Sequence, residues 1–238
     1  SLVLTDLPDK IRQVNTCEIT NRKEYMDAER DLIMYLQKYK DADDDKIAKA
    51  MRGEVMVRIN ILRQISARGK VRDVIEFVKD FRENGKKIIL FCSLHEVVDQ
   101  LKRYFPTAVS VTGRDSQDEK QRAVDAFQNN PKADIIICSI KAAGVGLTLT
   151  ASSNVAFVEF PWTYADCCQC EDRAHRIGQK DSVTCYYFLG RRTIDEKVYR
   201  IIQEKKNIAN AVTGSTEDIE ENIVDMVARI FDTDYDDE

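Results

Sequence analysis

Asn84-Gly85-Lys86-Lys87-Ile88-Ile89-Leu90-Phe91-Cys92-Ser93 decides the fold of this chain. An Asn-Gly pair stops one element, an unbroken apolar run forms the next, and a serine follows where a third begins. A strand that is apolar without alternation has both faces covered, which is the condition of a parallel sheet packed under helices. Upstream, Val71, Val74, Ile75, Val78 and Phe81 recur at helical spacing over 71–83. Downstream, Val97, Val98, Leu101 and Phe105 do the same over 94–105. The stretch therefore reads as helix, buried strand, helix.

The alternation continues outward. Strands are predicted at 87–92, 108–111, 134–138, 154–160 and 182–189, with helices at 117–129, 164–176 and 193–211. Strands separated by helices of this length make parallel βαβ units, so the expected class is α/β, a three-layer αβα domain with a mostly parallel sheet. Before it, residues 1–19 read as extended, with Pro8 near their start. A helix over 21–39 carries Asn21 as a candidate cap with Glu24 three residues on. An acidic break at 41–45 precedes a second helix through Ile47, Met51, Val55, Ile59, Leu62 and Ile65, and Gly69 is expected to end it. The tail from Ser215 starts as a helix and finishes in acidic residues 232–238. The expected division is 1–69 as a linker and helical protrusion, 70–192 as the α/β domain, 193–214 as a long helix, and 215–238 as helix and acidic tail.

Composition narrows the class. An apolar share of 43% supports a packed core, and 32% charged residues argue against a membrane protein. The longest apolar runs are too short to span a bilayer, and the N-terminus lacks the basic-then-apolar pattern of a signal peptide. The net charge of −5 conceals an asymmetry: residues 1–216 hold thirty-five bases against thirty-one acids, and the acidic excess lies in the tail. A mildly basic body is compatible with nucleic-acid contact and equally with an ordinary solvated surface. Seven cysteines, several in apolar runs, fit a reducing compartment. Cys167-Cys168-Gln169-Cys170 has no second pair or histidine cluster at zinc spacing, so no metal site is expected.

Candidate chemistry falls at the carboxyl ends of the strands, where such sheets collect ligands. Ser139-Ile140-Lys141-Ala142-Ala143-Gly144-Val145-Gly146-Leu147-Thr148-Leu149 follows one strand; its small residues let backbone N–H groups approach a phosphate or ribose, or simply form a tight turn. Ser93 is a phosphate contact or a helix cap, and Thr112-Gly113-Arg114 ends another strand in groups that suit a nucleic-acid backbone. Gln169-Cys170-Glu171-Asp172-Arg173-Ala174-His175-Arg176-Ile177-Gly178-Gln179 places Arg173 and Arg176 at i and i+3 of the predicted helix. Two adjacent guanidinium forks suit a polyphosphate. On spacing alone they suit equally a solvent-facing helix salt-bridged through Glu171 and Asp172.

In order, Ile88–Ser93, Thr112-Gly113-Arg114, Ser139–Leu149 and Gln169–Gln179 resemble motifs IV, IVa, V and VI of superfamily-2 helicases. Arg-Ala-His-Arg-Ile-Gly-Gln resembles the Swi/Snf-type DNA-translocating ATPases, and Glu159, Trp162 and Glu171-Asp172 are similar to the branch of annealing helicases and many bacterial members. Asp6-Leu7-Pro8-Asp9-Lys10-Ile11 resembles the interlobe linker, and Thr193-Ile194-Asp195-Glu196-Lys197 the brace after motif VI. Ile140, Thr148, Ser153 and Thr163-Tyr164 depart from the common pattern.

The resemblance implies a second, RecA-like lobe of a two-lobe ATPase. Arg173 and Arg176 would face the γ-phosphate of ATP, with Arg176 as the finger. Gln169 would orient the triphosphate, and Gly144 and Gly146 would admit the nucleotide. Ser93, Gly113, Arg114, Ser139 and Lys141 would touch the phosphates of double-stranded DNA. No Gly-x-x-x-x-Gly-Lys-Ser/Thr stretch or Asp-Glu-x-His box occurs, so ATP and Mg²⁺ would be held mainly by an N-terminal RecA-like lobe of the same protein, and this piece alone would be inactive. Both arginines are then expected to stand exposed and mobile. The setting implied is bacterial cytoplasm and nucleoid, or a eukaryotic nucleus, with no membrane partner. The alternative is a stand-alone module that binds nucleic acid or protein without ATPase activity.

Overall fold

The computed structural model describes residues 7–142, 146–204 and 216–233. Its elements run β1 (Lys10–Cys17), α1 (Arg22–Lys40), α2 (Asp45–Glu83), β2 (Ile88–Cys92), α3 (His95–Tyr104), β3 (Val109–Val111), α4 (Gln117–Asn129), β4 (Ile135–Ser139), β5 (Asn154–Phe157), α5 (Tyr164–Glu171), β6 (Val183–Gly190), α6 (Ile194–Glu204) and α7 (Thr216–Thr233). Two compact units result: Ser1–Glu18 with Lys70–Leu189, and Ile19–Gly69 with Gly190–Glu238. The expected segment 1–69 is thereby shared between them, β1 going with the sheet.

The first unit is built on a six-stranded sheet in the order β1-β6-β5-β2-β4-β3. β2 pairs in parallel with β4 and β5, β3 with β4, and β5 with β6. All five residues of β2 are buried, as its unalternating sequence requires. In register, Phe91 lies beside Phe157, and Phe157 beside Tyr187. Their rings stack at 5.2 and 4.4 Å across three strands. Helix starts follow local chemistry: Ser116 Oγ accepts from Glu119 N at 3.2 Å, and Glu119 Oε2 accepts from Ser116 N at 2.8 Å, a reciprocal cap for α4. The predicted strand 154–160 stops at Phe157, because Val158 N and Glu159 N both turn to the single carbonyl of Phe91.

In the second unit, Ser66 Oγ donates to Asp195 Oδ2 at 2.6 Å, and the same oxygen accepts from Gly190 N at 3.0 Å. Tyr25 OH accepts from Ile194 N at 2.7 Å. Buried hydroxyls and a carboxylate thus satisfy the backbone where α6 begins. The part of the predicted 193–211 helix beyond Glu204 lies outside the described residues.

Gly69 corrects the reading of a helix end. α2 runs unbroken for 39 residues through it. A Cβ at position 69 would meet Asn21 Oδ1 at 2.2 Å and Ile19 Cβ at 2.7 Å. The glycine therefore permits close approach of the chain at Ile19–Asn21, where Thr20 N donates to Gly69 O. Gly53, in the same helix, has nothing within 4 Å of such a Cβ. Gly69→Ala is expected to cost about 2 kcal/mol through overpacking, and Gly53→Ala to add about 0.5–1 kcal/mol through helix propensity. Urea unfolding midpoints of the two variants should move in opposite directions.

Candidate functional site

Because β2, β3 and β4 are parallel, their carboxyl ends emerge side by side. A pocket of about 260 Å³ lies there, lined by Ser93, His95, Gly113, Ser139, Ile140 and Lys141. Four of the five residues expected to contact a nucleic-acid backbone are thus brought together from three motifs. Ser93 is exposed and does not cap α3, whose N-cap is Leu94. The turn is held by Glu159 instead: its Oε2 accepts from Ser93 N at 2.6 Å and from Leu94 N at 2.8 Å. The β3 end is shaped by Asp115, whose carboxylate accepts from Thr112 N at 2.7 Å. Ser139 is buried, and its Oγ accepts from Ala142 N at 3.3 Å.

Arg114, the fifth residue, is not on the pocket wall. Its guanidinium holds Asp99 through two hydrogen bonds of 2.7 and 3.2 Å. Those bonds, assisted by the cation's charge, keep the Asp99 carboxyl below the usual carboxylate range. His95, which the motif pattern does not single out, lines the pocket in its place.

Arg173 and Arg176 do not share a helix face. α5 ends at Glu171, and residues 172–178 form a turn. Beyond Glu171, carbonyls of the turn are taken by partners outside the helix. Arg173 O accepts from Leu149 N at 2.8 Å, and Ala174 O accepts from Gln179 Nε2 at 3.1 Å. Gly178 completes the turn at φ 101°, a conformation that favours glycine. Gln179 Nε2 also reaches Ser152 O at 2.8 Å, so one amide ties this turn to the segment after Leu149.

Neither arginine is fully exposed. Both are half-buried, and Arg176 Nη1 donates to Leu147 O at 3.0 Å. Arg173 Nε is buried with no hydrogen-bond partner. Between them His175 Nε2 lies 2.6 Å from Pro8 O, the assignment with that nitrogen protonated making it the donor. Gln169 is exposed on α5, and Gly146 is exposed at φ 53°. Gly144 lies outside the described residues. No group of His, Cys, Asp or Glu among the described residues could hold a metal ion.

Glu171 is not the solvent-facing partner of the arginines that spacing alone left open. It is fully buried. Arg12 binds it at 2.7 and 2.8 Å, Lys10 at 3.0 Å, and Tyr187 OH donates to it at 2.8 Å. Arg12 also lies 4.9 Å over the ring of Tyr164. Burial opposes the carboxylate's charge, but the Arg12 hydrogen bonds and the charges of Lys10 and Arg12 outweigh it and hold its pKa low. The available signal was spacing: buried Cys167, Cys170 and Ala174 fall on the helical face that includes position 171. Burial also pushes the Cys170 thiol up to about 12.

Breaking a buried pair leaves cations uncompensated, so Glu171→Gln is expected to cost about 3 kcal/mol near neutral pH. A lowered folded-state pKa contributes stability above the unfolded carboxylate range and loses it as pH falls through the folded value. Thermal melts from pH 7 downward should show the gap between wild type and variant closing in acid.

Residues 69–178 match the family model of the helicase conserved C-terminal domain. The chain is 33% identical over 145 residues to the SWI/SNF-related matrix-associated actin-dependent regulator of chromatin subfamily A-like protein 1 of Xenopus tropicalis, a match spanning 59% of this chain and 15% of that protein. It is 30% identical over 224 residues to a DNA annealing helicase and endonuclease of Homo sapiens, spanning 90% of this chain and 20% of that protein. The chain therefore covers a fifth or less of the length of these relatives. The SWI2/SNF2 ATPase core of Sulfolobus solfataricus, solved in complex with dsDNA, superposes with a TM-score of 0.70 at 22% identity, over 91% of this chain and 49% of that one. That likeness shows a shared RecA-like fold. With its motif order, parallel sheet and relatives agreeing, the chain belongs to the Swi/Snf-type superfamily-2 helicases, of which it is a C-terminal RecA-like lobe.

Proposed function

We propose that this chain is the second half of an ATP-dependent DNA translocase, supplying arginine fingers to a nucleotide held on a facing lobe and backbone contacts to duplex DNA. The observation that carries the reading is the turn at 172–178. A buried guanidinium nitrogen, Arg173 Nε, has no acceptor, and Arg176 spends one donor on Leu147 O. Buried donors without acceptors are uncommon, and a phosphate oxygen is the acceptor that guanidinium geometry suits best.

In this reading Arg176 is held by its Leu147 bond so that its remaining N–H groups meet charge developing on the γ-phosphate, with Arg173 beside it. ATP and its Mg²⁺ rest mainly on the facing lobe; the described residues here offer no carboxylate cluster for the ion. Gln169, exposed one turn before Arg173, and Gly146, at positive φ, are free to approach the triphosphate. Domain closure assembles the site, and reopening after hydrolysis moves the lobes along DNA.

The strand-end pocket supports the DNA half. Ser93, Gly113, Ser139 and Lys141 offer hydroxyls, close backbone and one cation, a set that positions phosphates without reading bases. Arg114 joins them only by exchanging Asp99 for a phosphate. The dsDNA complex of the Sulfolobus relative favours duplex DNA as the track. Relatives named as regulators of chromatin favour a nuclear setting, and no helix among the described residues is long and apolar enough to cross a membrane.

In the complete two-lobe protein, Arg176→Ala should lower kcat by about 10³-fold or more while nucleotide affinity is retained. The isolated chain should show no turnover, and a supplied first lobe should restore DNA-stimulated hydrolysis. Normal turnover by the Arg176→Ala protein would remove the finger assignment and favour a binding module.

A further inference from the structure

We infer that His95 is a further phosphate-binding residue of the strand-end pocket and, with Lys141, one of its two nitrogen donors to the DNA backbone, in place of Arg114. The inference rests on the reading of that pocket as a DNA contact.

Three observations converge on it. His95 is exposed and lines the pocket with Ser93, Gly113, Ser139 and Lys141. It donates no hydrogen bond to any described residue, so its ring is not engaged in holding the fold. Arg114, the cation expected from the motif, lies off the wall and holds Asp99 in two hydrogen bonds. Asp99 stands one helical turn after His95, close enough to attract the imidazole, but both of its oxygens are already hydrogen-bonded to Arg114.

The position of His95 is fixed from behind. Glu159 Oε2 takes both Ser93 N and Leu94 N, and Leu94 O accepts from Val97 N at 3.0 Å, which sets the first turn of α3. Val97 and Val98 are buried and anchor that turn to the core. His95 is thus held, exposed, at the pocket rim by a turn that Glu159 fixes. An imidazole N–H donates to a phosphate oxygen in the neutral and the cationic ring alike, so the contact needs no change of protonation. Helix N-terminal polarity at α3 adds to the attraction for the anion.

The test measures binding of a fluorescent 30-base-pair duplex by the full-length protein and by His95→Ala, His95→Gln, Arg114→Ala and Lys141→Ala variants at fixed salt. Thermal melting checks that each is folded. His95→Ala should weaken binding about tenfold, the worth of a hydrogen bond to a charged group. His95→Gln, which keeps an N–H donor, should recover most of the loss, and Arg114→Ala should change affinity less than His95→Ala. Lys141→Ala should weaken binding and flatten the salt dependence by about 0.9 in log–log slope. If Lys141→Ala weakens binding and His95→Ala does not, the His95 assignment is overturned while the pocket remains the DNA site. Equal losses in His95→Ala and His95→Gln overturn the donor role. If neither Lys141→Ala nor His95→Ala alters binding, the pocket is not a DNA contact and both readings fall.

Discussion

The buried carboxylate of Glu171 is the constraint on which the arginine turn depends. A charge with no solvent must be compensated, and the compensation comes from the opposite end of the chain: Lys10 and Arg12 on β1, with Tyr187 on β6. The same residue closes α5, two positions before Arg173. Its four hydrogen bonds therefore fasten the base of the turn to two strands of the sheet. His175 adds a second fastening to β1's approach, at Pro8 O. The turn is thus held by charge and hydrogen bonds at the last residue of α5 and again at His175, just beyond the helix end.

A second set of ties joins that turn to the loop after β4. Leu149 N on Arg173 O, Arg176 on Leu147 O and Gln179 on Ser152 O are all contacts to backbone groups. They specify position without requiring particular side chains in the loop, which is consistent with a loop whose residues depart from the common motif at Ile140, Thr148 and Ser153. Such backbone ties suit the finger role proposed for Arg176, where misplacement of a phosphate contact would cost catalysis directly.

Strand and helix identities were largely legible. Apolar runs at 88–92 and 135–138 had one reading in an alternating chain, and Ser116 with Glu119 announced the start of α4. The site was legible in part, because Ser93, Gly113, Ser139 and Lys141 follow strands that topology makes parallel neighbours. Gly69 was misread because a glycine that stops a helix and one that admits a crossing chain look alike in one dimension. Exposure was expected of arginines that are half-buried, and spacing alone left a solvated Glu171 open, for a related reason: helical spacing reports which residues share a face, and it does not report what lies against that face.

The amino-acid sequence by itself determined the alternating α/β class, the order of the motifs and the residue types available for phosphate chemistry, since these follow from local periodicity and side-chain chemistry. Only the tertiary structure decided which of those residues are free to act. It ended α5 at Glu171, buried that carboxylate, paired Arg114 with Asp99 and set His95 on the pocket wall. The physical reason is that hydrogen-bond donors and charges are satisfied by partners in space, and Glu171 and Arg12 are 159 positions apart along the chain.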